Sequence, residues 1–208
     1  MKKLASLFII LFLVVFSFNC GGGEKSKQAE KPTPKKDTTA QTFTITEMEP
    51  FSYCALEVTG PFTLFEEKVN ILMAEMNKQG ITPSGHMISI YYNNPETTPP
   101  ESLKWEIGFK VPDTVKISEP LVIKKWAFKK SFCREFKDAG TKIKNFYNET
   151  YKLIDSNKLV PAGPPMEEIL AKPVKDTVNN TLIMNFKLYI PVTEKKTQEQ
   201  EKVEETKK

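Results

Sequence analysis

Residues 104–112 read Lys-Trp-Glu-Ile-Gly-Phe-Lys-Val-Pro, with a large apolar side chain at every second position before a proline. This period of two predicts a β-strand with one face on the core and one face away from it. The apolar row is Trp105, Ile107, Phe109 and Val111, and the opposite row is Lys104, Glu106, Gly108 and Lys110. Proline has no amide hydrogen to continue a β-ladder, so the strand should end before Pro112.

Other landmarks around this strand recur later in the chain. The run that ends at Pro112 is echoed by Lys-Leu-Tyr-Ile-Pro, which ends at Pro191. The second run alternates in the same way, with Met184, Phe186, Leu188 and Ile190 opposite Asn185, Lys187 and Tyr189. At nearly the same offset, the Pro-Ser-Gly of residues 83–85 returns as Pro-Ala-Gly, and Pro95 returns as Pro173. Three landmarks that share an offset indicate an internal repeat.

Each half of the repeat shows the same order of elements. The first half has predicted strands at 53–58, 87–92 and 104–111 and a helix at 63–78, and the second has strands at 121–128, 166–170 and 181–190 and a helix at 134–156. The sequence therefore predicts an α+β fold of two pseudo-symmetric β-α-β-β repeats. Antiparallel sheets would carry one long helix per repeat, and the pattern alone leaves open whether the face without helices forms a ligand cleft between the repeats or is exposed to solvent.

The ends of the chain differ in composition from this body. Lys2 and Lys3 precede an uncharged apolar run at 7–16, which has the length of a signal-peptide core and is short for a membrane span. Cys20 and three glycines follow, a pattern typical of a bacterial lipoprotein. We predict a signal peptide at 1–20, a disordered tether at 21–42, a domain at 43–193 and a charged tail at 194–208.

The residues of these segments also predict where the protein is located and what it binds. Lipidation of Cys20 would hold the protein at a membrane of the bacterial cell envelope. The net charge is +4 and the lysines are mixed with acids, so the sequence predicts no nucleic-acid partner. His86 is the single histidine, which excludes a histidine-rich metal site; we expect no metal and no cofactor. The sequence indicates no protein partner.

Several motifs resemble the GyrI-like domain, which is also the effector-binding domain of some AraC-type and MerR-type regulators. They are Ile-Thr-Pro-Ser-Gly at 81–85, Ile-Tyr-Tyr-Asn-Asn-Pro at 90–95 and the 104–112 strand, with second-repeat counterparts at 160–165 and 188–192. The resemblance covers roughly residues 43–193. It implies helices on one side of the sheet and, on the other, a cleft that binds a flat apolar or cationic molecule between aromatic rings.

The resemblance and the strand pattern together give the candidate ligand-binding residues Tyr91, Glu106, Gly108, Trp126, Lys187 and Tyr189. Gly108 would leave room for a ligand, and the two tyrosines would provide stacking surfaces. Trp126 is compatible with either the cleft or the core, whereas Trp105 belongs to the core row. Lys187 replaces the acidic residue that is customary in the family, and we expect it to neutralise Glu106 if the two face each other.

Three functions stay open at this point. The leading one is a membrane-tethered protein that binds a small apolar or aromatic molecule without catalysis. The second is a small-molecule hydrolase that uses Glu106, and the third is an envelope scaffold whose cleft is filled by its own side chains. The sequence also leaves open whether Cys54 and Cys133 form a disulfide, since their distance is not readable from it.

Overall fold

A computed structural model describes residues 42–195. The strands are β1 (Thr44–Glu47), β2 (Phe51–Thr59), β3 (Ser84–Tyr91), β4 (Lys104–Lys110), β5 (Val122–Trp126), β6 (Lys130–Ala139), β7 (Leu159–Pro161), β8 (Met166–Asp176) and β9 (Thr181–Glu194), and the α-helices are α1 (Phe65–Lys78) and α2 (Ile143–Ser156). The predicted signal peptide, its Cys20 and most of the predicted tether and tail lie outside the described residues.

The strands form one antiparallel sheet in the order β1-β6-β9-β8-β3-β4-β2-β5, and β7 pairs with β9. The two repeats, β2-α1-β3-β4 and β6-α2-β8-β9, join where β3 pairs with β8. This is an α+β fold of the predicted class, with two long helices on a mostly antiparallel sheet.

Both helices cover the same face of the sheet. Leu72 and Met76 of α1 are fully buried and pack in one cluster with Trp105 and Ile107 of β4. Phe146 and Ile154 of α2 pack with the row of β9 that contains Phe186, Leu188 and Ile190. The alternation read from the sequence is thus confirmed on both strands. Neither α1 nor α2 is long and apolar enough to cross a membrane, within the part of the chain that the structure describes.

A buried arginine fixes α2 to the sheet. Arg134 of β6 donates hydrogen bonds to the Thr150 hydroxyl at 2.8 Å and to the Phe146 carbonyl at 3.3 Å. Its guanidinium also lies 4.4 Å from the centre of the Phe146 ring. An arginine on the apolar face is tolerated here because the helix supplies acceptors and an aromatic surface.

The predicted start of the second repeat was wrong. Its first strand is β6, whereas residues 122–126 form the added edge strand β5, which pairs with β2. The predicted helix at 134–156 begins only at Ile143, because residues 130–139 alternate between the two faces of the sheet. Strand β1, which pairs with β6, was not predicted at all.

The two cysteines of the domain are free and buried. Cys54 lies on β2 and belongs to the cluster under α1, whereas Cys133 lies on β6 and packs on the opposite face. Four strands separate β2 from β6, so the two residues are about 24 Å apart at the usual strand spacing. A disulfide needs Cα atoms within about 7 Å, and therefore does not form.

Candidate functional site

The face of the sheet opposite the helices, called here the helix-free face, carries the candidate site. Residues directly opposite each other in an antiparallel sheet point to the same face, so the strand registers define rows across it. One row is Glu57, Glu106, Ile90, Met166, Tyr189 and Cys133, and the next is Ala55, Gly108, Ile88, Glu168, Lys187 and Glu135. In the first row the charged residues lie at the end in the first repeat, and in the second row they lie at the end in the second repeat.

The first repeat contributes a buried carboxylate to this face. Glu106 is only 1% exposed. The Tyr53 hydroxyl donates to its Oε1 at 2.6 Å, and the Lys124 ammonium donates to its Oε2 at 2.5 Å. Lys124 also pairs with Glu57 at 2.5 Å. Both oxygens of Glu106 are therefore already engaged within the fold.

This cluster shifts the pKa values of its members. Burial, and then the Glu106 carboxylate, raise the pKa of Tyr53 well above its usual range. Burial alone would lower the pKa of Lys124, but the hydrogen bonds and charges of Glu106 and Glu57 outweigh it and raise that pKa. Lys124 is consequently a permanent cation at neutral pH, and Tyr53 a permanent hydrogen-bond donor.

The second repeat carries a similar tyrosine–glutamate pair. The Tyr189 hydroxyl donates to Glu168 Oε2 at 2.9 Å, and His86 Nδ1 lies 3.3 Å from Glu168 Oε1. Burial and Glu168 raise the pKa of Tyr189. Lys187 lies opposite Glu168 and Glu135 in the strand registers, and its ammonium is 5.4 Å from the centre of the Tyr189 ring.

An open groove of about 350 Å³ lies beside the first of these pairs. Its lining residues are Tyr53, Ile90, Tyr92, Lys124, Lys125, Trp126, Phe128 and Pro164. Trp126 meets Phe128 edge to face at 4.9 Å. The volume is at the lower end of the range for ligand sites, which suits a molecule of one or two rings.

A comparison with known protein families identifies the domain. The sequence model of the GyrI-like small-molecule-binding domain matches residues 41–193, most of the chain. The chain belongs to the GyrI-like family. No curated protein sequence matches it.

Solved structures share the fold of this GyrI-like domain at low sequence identity. The EcmrR–DNA complex matches with a TM-score of 0.61 at 14% identity, over 74% of this chain and 58% of that chain. A hydrolase from Listeria innocua matches with a TM-score of 0.56 at 12% identity, over 74% of this chain and 92% of that one. SAV2435 bound to tetraphenylphosphonium matches with a TM-score of 0.51 at 10% identity, over 73% and 94%. At such identities the likeness shows the fold alone.

In this GyrI-like domain Glu106 and Lys187 do not face each other, contrary to the sequence-based expectation. They lie on β4 and β9, and β3 and β8 run between these strands. Three strand spacings correspond to about 14 Å, too far for an ion pair. Lys124, on the edge strand that was assigned to the wrong repeat, neutralises Glu106 instead.

Other predicted site residues occupy different positions from those expected. Tyr91 pairs with Trp105 in the sheet and so points to the helix side, where its hydroxyl donates to Glu167 at 3.1 Å. Its neighbour Tyr92 lines the groove instead.

Gly108 does not leave room for a ligand. A side chain at this position would overlap the carbonyl oxygen of Cys54, so the glycine permits the close approach of strand β2. Tyr189 and Lys187 lie on the helix-free face as expected.

Trp126 lies on the helix-free face and is 2% exposed. It packs with Tyr53, Ile90 and Met166, and so belongs both to a small core on this face and to the groove wall. Among the described residues its indole nitrogen has no hydrogen-bond partner. A buried indole donor without an acceptor is uncommon and is readily satisfied by a water or a ligand.

A second buried carboxylate was missed by the sequence analysis. Glu167 of β8 lies on the helix side, where Tyr147 and Tyr91 donate to its two oxygens at 2.8 and 3.1 Å. Burial raises its pKa to about 7, despite these hydrogen bonds. Ser89 lies directly opposite Glu167, and its buried hydroxyl has no partner among the described residues. Within residues 42–195 no group of three or more acids, cysteines and histidines is placed to hold a metal ion.

Proposed function

We propose that this domain binds a small, planar aromatic or apolar molecule in the groove on its helix-free face. The groove itself carries the proposal: four of its lining residues are aromatic, two more are Ile90 and Pro164, and its charged residues are Lys124 and Lys125. Ligand sites in proteins have this composition, with apolar walls for affinity and few polar groups for orientation.

The aromatic residues of the groove wall differ in how deeply they are buried. Tyr53 and Trp126 are buried and held in the core of the helix-free face. Tyr92 is 45% exposed and presents its ring to the groove without packing into that core. A ligand would stack between the fixed rings and Tyr92, and this stacking would account for much of its affinity.

Removal of the Tyr92 ring should weaken binding without unfolding the domain. We expect Tyr92→Ala to reduce the affinity of the full-length protein for 2-naphthylmethanol roughly 3- to 10-fold, as measured by isothermal titration calorimetry. Tyr151→Ala, which removes an exposed tyrosine of α2, is the matched control and should bind like the wild type. Equal affinities of all three proteins would show that the ligand does not occupy the groove.

We further propose that the domain acts at a membrane surface without binding DNA. The support is the apolar run before Cys20 and the mixed charges of the body. Replacement of Cys20 by alanine should release the protein from the membrane fraction into the soluble fraction of fractionated cells, because two or more acyl chains are needed for stable anchoring. Unchanged partitioning of this variant would contradict a lipid anchor.

A further inference from the structure

The groove borders an arrangement of groups that would ordinarily bind a cation. Glu106 and Glu57 contribute two carboxylates, and Tyr53 and Tyr92 contribute two aromatic side chains. Carboxylates beside aromatic faces attract ammonium and other cationic ligands. Since Glu106 is almost completely buried, it also requires a positive partner within the fold or from outside.

In this protein the position of the cation is already taken by a side chain of the chain itself. The Lys124 ammonium contacts both carboxylates and lies 5.5 Å from the centre of the Tyr92 ring. Lys124 comes from β5, the edge strand outside the two repeats, which pairs with β2 so that Lys124 lies opposite Tyr53. Because Lys124 is already attached to this strand, its ammonium pairs with the carboxylates without the loss of translational freedom that a free cation would suffer on binding. This difference favours Lys124 over a cationic ligand.

We infer that Lys124 is the specificity-determining residue of the groove. It fills the cation subsite, so that the groove selects uncharged or anionic aromatic molecules and rejects cationic ones. This inference rests on the proposed function, because it concerns ligands of the same groove. A cationic ligand would either leave Glu106 to Lys124 and lie beside the Lys124 ammonium, or displace Lys124 from Glu106 and leave it only Glu57, whose side chain is 61% exposed, as a partner; both alternatives oppose its binding.

The test uses three compounds that share one ring system: 2-naphthylmethanol, 2-naphthoate and (2-naphthylmethyl)trimethylammonium. Their affinities are measured for the full-length wild type and for Lys124→Met, which keeps an apolar side chain of similar length. The wild type should bind the cation at least about tenfold more weakly than the alcohol. Lys124→Met should bind the cation at least about tenfold more tightly than the wild type does, with little change for the alcohol.

Two further variants separate this effect from general damage. Lys124→Met combined with Glu106→Gln removes both members of the pair and should lose the gain in cation affinity. Lys152→Met removes an exposed lysine of α2 and should bind all three compounds like the wild type. If Lys124→Met is less stable because Glu106 is left unpaired, the cation should raise its melting temperature and the alcohol should do so much less.

The outcomes distinguish the inference from the proposed function. If the wild type binds the alcohol but Lys124→Met gains no cation affinity, the inference is overturned and the proposed function stands. If Lys124→Met binds the cation while the wild type binds neither the alcohol nor the naphthoate, the placement of Lys124 in a cation subsite stands. The claim that the wild-type groove selects uncharged or anionic molecules is then overturned together with the proposed function. If neither protein binds any of the three compounds, the inference and the proposed function are both overturned. The same holds if the wild type binds the cation and the alcohol equally and Tyr92→Ala changes neither affinity.

Discussion

Replacement of Gly108 by alanine is expected to destabilise the domain by more than about 3 kcal/mol, or to prevent its folding. The new Cβ atom would overlap the carbonyl oxygen of Cys54 and crowd the Cα atom of Ala55. Both are backbone atoms of β2, which pairs with β4 through seven residues and cannot move away without losing its ladder. Denaturant unfolding of the full-length protein, followed by tryptophan fluorescence, measures the change.

A glycine with space around it serves as the control. At Gly140 an added Cβ would only reach ordinary contact, 3.5 Å from its nearest neighbours, so Gly140→Ala should change stability by less than about 1 kcal/mol. The sequence suggested that Gly108 leaves room for a ligand, and that idea makes a different prediction. If Gly108→Ala folds with normal stability but loses ligand binding, the close approach of β2 is not the reason for the glycine.

The stability of the domain is expected to fall as the pH rises through neutrality, because of Glu167. The pKa of this carboxyl is about 7 in the folded state, against 4.5 for an ordinary glutamate. Between these two values the folded protein binds more protons than the unfolded chain, so raising the pH favours unfolding. The contribution of Glu167 to the free energy of unfolding is fully present below about pH 4.5. It is lost as the pH rises through about 7, by an amount on the order of 3 kcal/mol.

Glu167→Gln should remove most of this dependence, because the amide oxygen still accepts a tyrosine hydrogen bond and nothing at this position ionises. The measurement is the free energy of unfolding at a series of pH values from 5 to about 8.5. Glu101→Gln, at an exposed glutamate, should keep the wild-type profile. A Glu167→Gln protein with an unchanged slope would show that another group is responsible.

The fold could be predicted wherever apolar residues follow one period without interruption. Residues 104–111 and 184–190 alternate strictly, and the structure places both apolar rows under the helices as expected. Strand β6 was missed because its alternation is hidden: the helix-facing row of Phe132, Arg134 and Phe136 contains a charged residue. Only the contact of Arg134 with α2 makes that position compatible with burial, and no local pattern shows such a contact.

The site was predicted less well, because it depends on which strands are neighbours. Glu106 and Lys187 were correctly placed on one face, but their distance follows from strand order, which alternation does not give. The choice between Tyr91 and Tyr92 was decidable in principle, since a register that pairs Tyr91 with Trp105 puts Tyr91 on the core side. Lys124 shares one face of β5 with Val122 and Trp126, and its role becomes readable only once β5 is known to border β2.

Fluorine NMR of the full-length protein labelled with 5-fluorotryptophan tests most directly whether the groove binds a ligand. The chain has two tryptophans, and they report on opposite faces: Trp126 on the groove wall and Trp105 under α1. Trp126→Phe assigns the two signals. During titration with 2-naphthylmethanol we expect the Trp126 signal to shift and to saturate, while the Trp105 signal stays in place. A Trp126 signal that does not move at saturating ligand, or a shift confined to Trp105, would contradict binding in the groove.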